Sequence, residues 1–328
     1  MSGAVTIRGA GVVGLCVATE LVARGLAVTL RDPAPGPGAH GCSWWAGGML
    51  APFCEGFSAE EPVVRLGQEA ADWWAEQGVE VIRRGSLVVT LERDRRELDQ
   101  FARRTRRHRL VTGEALAGLE PHLAERHERA LFFEGEAHID PRAALLHLRK
   151  RLEAAGARFE QGDAAPEGVA IDCRGLAARD SLPDLRGVKG EMVVLRSRDV
   201  TLSRPVRLLH PRFPLYIVPR GHGVFMLGAT QIESGERGRA SARSVMELLS
   251  AAYALHPAFG EAKLLEIGAD ARPAFPDNLP RITRKGGVIH VNGLFRHGFL
   301  LSPAVARMTA EMVTGGIEKA EFAHEDHG

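Results

Sequence analysis

The apolar positions of the chain follow two rhythms. A short strand, Val5-Thr6-Ile7-Arg8, runs into Gly9-Ala10-Gly11-Val12-Val13-Gly14. Apolar residues then recur at helical spacing over 12–24 up to Gly25, and a second strand, Ala27-Val28-Thr29-Leu30, ends at Asp32. Further helices are predicted over 58–78, opened by a Ser58-x-x-Glu61 capping box and carrying Trp73 and Trp74, and over the arginine-rich stretch 94–109. Another spans 140–156, with Asp140 as cap and Pro141 in the first turn. The last two cover 241–255 and the stretch from Ser302-Pro303 to about 313, ahead of Gly315-Gly316. Strands are predicted over 81–91, with a turn at Arg84-Gly85, and over 169–173. From 187 to 228 the second rhythm takes over: 191–195, 206–209, 215–218 and 224–227 are short apolar runs broken by Pro, Gly and His, with no helix between them. Strands over 264–267 and 288–291 follow.

A meander without helices belongs to a mostly antiparallel sheet, whereas the opening strand–turn–helix–strand unit builds a parallel one. The fold class expected is therefore α/β. A Rossmann-like nucleotide-binding domain over 1–80, 135–186 and 268–328 is interleaved with an α+β substrate domain over 81–134 and 187–267, built on the antiparallel sheet.

Each part of the opening unit has a physical job in dinucleotide binding. Gly9 permits a tight turn, Gly11 lets backbone approach a pyrophosphate, and Gly14 keeps no side chain between helix and sheet. The helix N-terminus offers unpaired N–H groups and its positive dipole end to phosphate. Asp32, eighteen residues after Gly14, stands where a carboxylate accepts from ribose hydroxyls.

Composition narrows the rest. With 328 residues, a net charge of +1 and 25% charged residues, the chain has no electrostatic preference for nucleic acid or an anionic membrane. Its apolar runs fall short of the ~20 residues that span a bilayer. The first core strand stands where a basic leader would, so a cytoplasmic location is expected. Cys16, Cys42, Cys54 and Cys173 lack metal-ligand spacing and read as reduced thiols. Arg103, Arg104, Arg106, Arg107 and Arg109 read as a solvated face, since acidic residues lie nearby and interleaved aromatics are lacking.

Three stretches carry a family resemblance: the opening unit, Ser43-Trp44-Trp45-Ala46-Gly47-Gly48-Met49-Leu50-Ala51-Pro52, and Gly293-Leu294-Phe295-Arg296-His297-Gly298-Phe299-Leu300-Leu301-Ser302-Pro303. Leu215-Tyr216-Ile217-Val218-Pro219-Arg220, leading to Gly228-Ala229-Thr230, and Ala271-Arg272-Pro273 support them. Together they resemble the glycine oxidase branch of the D-amino-acid oxidase-like flavoenzymes, the branch linked to thiazole synthesis for thiamine. The resemblance implies FAD, held non-covalently. It places Gly9, Gly11, Val12, Val13 and Gly14 at the pyrophosphate and Asp32 at the ribose. Cys42, Ser43, Gly47, Gly48 and Met49 would follow the ribityl chain, and Leu294, Phe295, Arg296, His297, Gly298, Phe299 and Leu300 would lie under the isoalloxazine. The cysteine tether of related sarcosine oxidases is not expected, because no cysteine follows Cys173. A helix starting at Ser302-Pro303 would aim its positive end at the negative charge of reduced flavin.

For the substrate, the resemblance implies a carboxylate held by Arg272 and Tyr216, with Arg296 as a second active-site arginine; a guanidinium makes a paired, charge-assisted clamp on a carboxylate. His297 is assigned to packing at the flavin site. Trp44 and Trp45 stand where relatives often have small residues. The implied activity is oxidation of glycine or another small amino acid to its imine, with O2 or another acceptor reoxidising the flavin and the imine either feeding thiazole assembly or hydrolysing to glyoxylate and ammonia. The partners expected are thus a small amino acid and an electron acceptor, with no nucleic acid and no membrane; a homo-oligomer stays open. Rival readings are sarcosine or a D-amino acid as substrate, a nicotinamide-dependent reductase, and a non-catalytic nucleotide-binding subunit.

Overall fold

A computed structural model describes residues 3–162, 165–210, 215–315 and 321–325. In chain order the elements begin β1 (Ala4–Arg8), α1 (Val12–Ala23), β2 (Ala27–Asp32), β3 (Met49–Leu50), α2 (Pro52–Glu55), α3 (Glu61–Gly67), α4 (Ala70–Glu76) and β4 (Ser86–Thr90). Next come α5 (Arg95–Arg104), β5 (Arg109–Thr112), α6 (Gly113–Leu119), α7 (Pro121–Ala124), β6 (Arg129–Phe133), β7 (Ala137–His138), α8 (Pro141–Ala154), β8 (Arg158–Gln161) and β9 (Val169–Asp172). The chain continues with β10 (Arg186–Arg196), β11 (Val206–Leu209), β12 (Leu215–Pro219), β13 (Val224–Gly228), β14 (Ile232–Glu233) and α9 (Ala242–Leu255). It closes with β15 (Lys263–Ala274), β16 (Arg281–Lys285), β17 (Val288–Asn292), α10 (Gly298–Val313) and β18 (Ala323–Glu325).

Seven strands form one sheet in the order β18-β16-β17-β9-β1-β2-β8, parallel except between β16 and β17. Its inner strand β1 places Ile7 between Leu30 and Ile171. Helix α1 is apolar almost all round because it is wedged between this sheet and α10, and Leu15, Cys16, Val17 and Leu21 are fully buried. The second sheet runs β14-β10-β13-β12-β11-β4-β6-β5, with β15 along the opposite edge of β10. All its pairings are antiparallel except β11 with β4. This is the expected α/β class, a Rossmann-like sheet interleaved with a mostly antiparallel one.

Several boundaries differ from expectation for identifiable reasons. The last long helix starts at Gly298, four residues before Ser302, and carries Pro303 inside it. Proline removes the N–H that would bond the carbonyl four residues back. Here that carbonyl, on Phe299, accepts the indole N–H of Trp74 at 2.9 Å, so the helix passes through the proline without an orphaned acceptor. Gly316, expected beyond its end, lies outside the described residues.

The span 58–78 is two helices. α3 is capped at Glu60, Ser58 caps nothing, and the Ser58 hydroxyl accepts from Arg296 Nη2 at 2.7 Å. The arginine-rich helix ends at Arg104, where Thr105 turns extended and bonds the Phe101 carbonyl with its hydroxyl. Of its exposed arginines, Arg104 covers the ring of Phe57, and beyond the helix Arg107 and Arg109 cover Phe53 and Phe132. The expected strand 264–267 extends to Ala274. Pro273 is tolerated there because β15 is an edge strand, paired with β10 alone among the strands and met on its outer side only by a single bridge from Ala274 to Leu294. No helix among the described residues is long and apolar enough to cross a membrane.

Candidate active site

A cavity of about 940 Å³ runs from the turn after β1 to one face of the second sheet. That is the upper end of the range for small-molecule and cofactor sites. At one end lie Gly9, Gly11, Val12, Val13 and Asp32. Gly9 takes φ +97°, and a Cβ there would meet the Cys173 carbonyl at 2.6 Å. Gly14 lies outside the cavity: a Cβ on it would sit 1.9 Å from the Gly9 carbonyl oxygen, so its absence lets α1 press onto the turn. At Gly11 a Cβ would meet only the Ser43 hydroxyl, at 3.4 Å, and would otherwise fill the space a ligand needs. Helix α1 has no acidic residue in its first turn and no side-chain cap from Gly11; the Ser43 hydroxyl accepts the Val12 N–H at 3.2 Å. This is an anion cradle made of backbone. Asp32 is held at its rim, with Oδ2 accepting from the Ala10 N–H at 2.8 Å and Oδ1 from Ala34 at 3.0 Å.

The middle of the cavity is lined by residues 42–49. Cys42, Ser43, Trp44 and Trp45 form a short 3₁₀ turn. Burial pushes the Cys42 thiol up to about 11, which leaves it inert as a nucleophile. Trp45 lies against Gly268, where a Cβ would be 2.1 Å from its ring. Arg142 stacks over Trp44 and Trp45 at 4.9 and 5.2 Å and pairs with Glu266, which pins both indoles. Gly48 takes φ +69°, where a Cβ would strike the Ile139 carbonyl at 2.3 Å. A residue that sequence reasoning left unassigned fixes this segment. Arg220 donates to the carbonyls of Gly47 (2.8 Å), Ala46 (3.2 Å) and Ile139 (3.0 Å). Burial, with no ion-pair partner among the described residues, pushes its guanidinium down to about 10.

The far end is the face of the second sheet. Cross-strand register sets Arg207 opposite Tyr216, and Tyr216 opposite Gly228. Gly47 and Gly228 make room for the phenol, since a Cβ on either would meet Tyr216 Cε2 at 2.8 or 3.3 Å. On β15, Val188 of β10 faces Arg272, whose guanidinium reaches back over Gly190, where a Cβ would sit 2.1 Å from Nη2. Arg272 donates to the Thr230 carbonyl at 3.2 Å, and no carboxylate pairs with it among the described residues. Burial lowers its pKa from the ordinary value, Tyr216 opposes that shift and Arg296 adds to it. Arg237, also missed from sequence, closes one side by pairing with Asp270.

The loop before α10 completes the wall. Leu294 bridges to Ala274, and the Phe295 N–H bonds the Pro273 carbonyl at 2.9 Å, so this loop is fastened beside Arg272. Phe295 takes φ +52°, a strained value for a side-chain-bearing residue. Arg296 donates to Glu55 and to Ser58; His297 Nε2 meets Glu55 at 3.0 Å. The Arg296 guanidinium and the hydrogen bond with His297 hold the Glu55 carboxyl far below its ordinary value, against the effect of its burial. Gly298 places the start of α10 beside that of α1, with Val12 Cγ1 3.4 Å from where its Cβ would be. Two helix N-termini therefore converge on one cavity. Every residue expected at the site lines it except Gly14.

A backbone anion cradle, a glycine-lined channel and an arginine–tyrosine pocket in one cavity define a dinucleotide-cofactor oxidoreductase. Over residues 4–312 the chain matches the FAD dependent oxidoreductase family and belongs to it; its cofactor is FAD. It is 56% identical over 307 residues to the putative thiamine biosynthesis oxidoreductase ThiO of Rhizobium etli, covering 92% of this chain and 94% of that one. A glycine oxidase of Pseudomonas aeruginosa is 27% identical over 96% of each chain. The crystal structure of glycine oxidase from Geobacillus kaustophilus shares the fold with a TM-score of 0.81 at 23% identity, over 98% of this chain and 97% of that one.

Proposed function

We propose that this protein oxidises a small amino acid, glycine in the first instance, to its imine, with O2 as the final electron acceptor and the imine entering thiamine thiazole assembly. The observation that carries this reading is Arg272, a guanidinium seated over Gly190, without a carboxylate partner among the described residues, in the same cavity as the anion cradle. The relatives named as a thiamine biosynthesis oxidoreductase and as a glycine oxidase support it.

When bound, FAD supplies the two-electron acceptor chemistry. Gly9, Gly11, Val12 and Val13 offer backbone to its pyrophosphate and Asp32 its carboxylate to the ribose. The segment 42–49 and the loop 294–300 flank the rest. Arg272 takes the substrate carboxylate as a paired, charge-assisted clamp and the Tyr216 hydroxyl adds a donor. Held at that end, the amino acid presents its Cα in one orientation, and orientation contributes more here than any protein base. Surrounding guanidiniums disfavour an ammonium and so favour the neutral amine, the form from which hydride leaves. Four free cysteines suit a reducing, cytoplasmic setting.

The test is anaerobic mixing of the purified yellow protein with glycine. Bleaching of the flavin band near ~450 nm is expected, because that band belongs to the cofactor. Colour that no amino acid bleaches overturns the reading. Arg272→Ala should raise KM for the amino acid by about 10- to 100-fold with flavin content unchanged; unaltered kinetics would remove Arg272 from the site.

A further inference from the structure

One cation at the substrate end has no task in that reaction. Arg207 stands on β11 directly opposite Tyr216 of β12, so the two side chains rise from neighbouring strands on one face. Arg207 lines the cavity, with its side chain 13% exposed. Its planar fork of five N–H donors is under-used. Among the described residues its one hydrogen bond runs from Nη1 to Cys54 Sγ at 3.6 Å, it makes a long ion pair with Glu55 Oε1 at 3.8 Å, and its guanidinium lies over the Phe101 ring at 5.3 Å. Its other nitrogens make no hydrogen bond among the described residues, and the residue lines the cavity.

Nearby carboxyls offset its charge only in part, through the long contact with Glu55. Glu55 already accepts from Arg296 and His297. Glu136 accepts from the Cys54 N–H and the Ser86 hydroxyl, and burial pushes it up to about 8, so it is mostly neutral at pH 7. Arg237 is balanced by Asp270. The substrate end thus brings three guanidiniums, those of Arg207, Arg272 and Arg296, against the single ionised carboxylate of Glu55. A monocarboxylate held by Arg272 leaves a surplus of positive charge at this end and the spare N–H donors of Arg207 without an acceptor.

We infer that Arg207 forms a second anion subsite, and that the cavity takes small amino dicarboxylates, with one carboxylate on Arg272 and Tyr216 and the other on Arg207. The inference rests on the oxidase reading and specifies its substrate class. The reaction stays the same, and the second carboxylate is bound without being changed.

The experiment compares kcat/KM of the holoenzyme for glycine, for iminodiacetate (second carboxylate on the nitrogen) and for D- and L-aspartate (on carbon), in the native protein, Arg207→Met and Arg207→Lys. A dicarboxylate at or above glycine is expected. Its ratio to glycine should fall about tenfold or more in Arg207→Met and recover in part in Arg207→Lys, as for loss of one partner of a buried charge pair. No dicarboxylate within about tenfold of glycine, or a ratio that Arg207→Met moves by less than about threefold, overturns the inference. A second measurement needs no variant: succinate should perturb the flavin spectrum of the native protein at about tenfold lower concentration than propionate, and a difference under about threefold counts against the subsite. If no amino acid reduces the flavin, the oxidase reading has failed, while succinate against propionate still decides the subsite.

Discussion

The two ends of the cavity recognise negative charge in different ways. The cradle at Gly9 to Val13 is backbone: a turn, a helix N-terminus and missing Cβ atoms, all within a few residues of one another. The pocket at Arg207, Tyr216 and Arg272 is side chain, brought together by register across β11, β12, β13, β10 and β15 from positions sixty-five residues apart in sequence at its extremes. A backbone cradle suits a ligand that stays, because its donors cost no side-chain entropy to order. A guanidinium pocket suits a ligand that comes and goes and must be told apart from its analogues. The comparison also explains where glycines fall. At the cradle they admit the ligand or the helix, whereas at the pocket Gly190, Gly47 and Gly228 admit the protein's own Arg272 and Tyr216.

Damage to the cradle should be the most severe. Gly14→Ala drives a methyl to 1.9 Å from the Gly9 carbonyl, forcing α1 off the sheet. A loss of about 3 kcal/mol or more in stability, together with loss of bound flavin, is expected from chemical denaturation and absorbance. Retention of flavin with native stability would break the distinction between the two ends. Gly190→Ala should do the opposite, displacing the Arg272 guanidinium while leaving the cradle intact. The expected readout is an about tenfold or greater rise in KM with full flavin content; equal loss of flavin would show that the ends are not separable.

Trp74→Phe probes α10, which serves both ends. It should cost about 1–3 kcal/mol by orphaning the Phe299 carbonyl. Adding Pro303→Ala restores a main-chain donor for that carbonyl, so the cost should shrink by about 1 kcal/mol in the double variant. Additive effects would disprove the compensation.

The smallest effect lies beneath the substrate pocket. Glu136 has a folded-state pKa raised to about 8, so the folded protein binds a proton more tightly than the unfolded chain does. Its contribution is complete below the ordinary carboxyl pKa and is lost as pH rises through about 8. Glu136→Gln should therefore flatten the fall in Tm between about pH 5 and 8 and raise Tm by about 2–4 °C at pH 8. Unchanged pH dependence would mean that Glu136 is ionised in the fold.

What could be read from sequence divides along the same line. The opening unit was legible because its signals are contiguous: Gly9, Gly11 and Gly14 mark a turn and a close approach that depend on immediate neighbours. The start of α10 was not, since Pro303 reads as a first-turn proline until Trp74, far away in the chain, is known to satisfy Phe299. Ser58-x-x-Glu61 misled for a similar reason: it has the residues of a cap, yet Arg296 claims the hydroxyl. Tyr216 and Arg272 were found through family resemblance, and nothing in their spacing indicated that they share a cavity.

The sequence by itself determined the βαβ unit, the change from helical to strand rhythm and the glycines that make room for a cofactor, because steric limits and hydrophobic period act locally. Tertiary structure alone decided which cations line the cavity, that Arg220 grips the glycine segment and that Arg207 keeps spare donors beside Tyr216. Those outcomes depend on strand register and on desolvation, which arise only once distant segments have packed together.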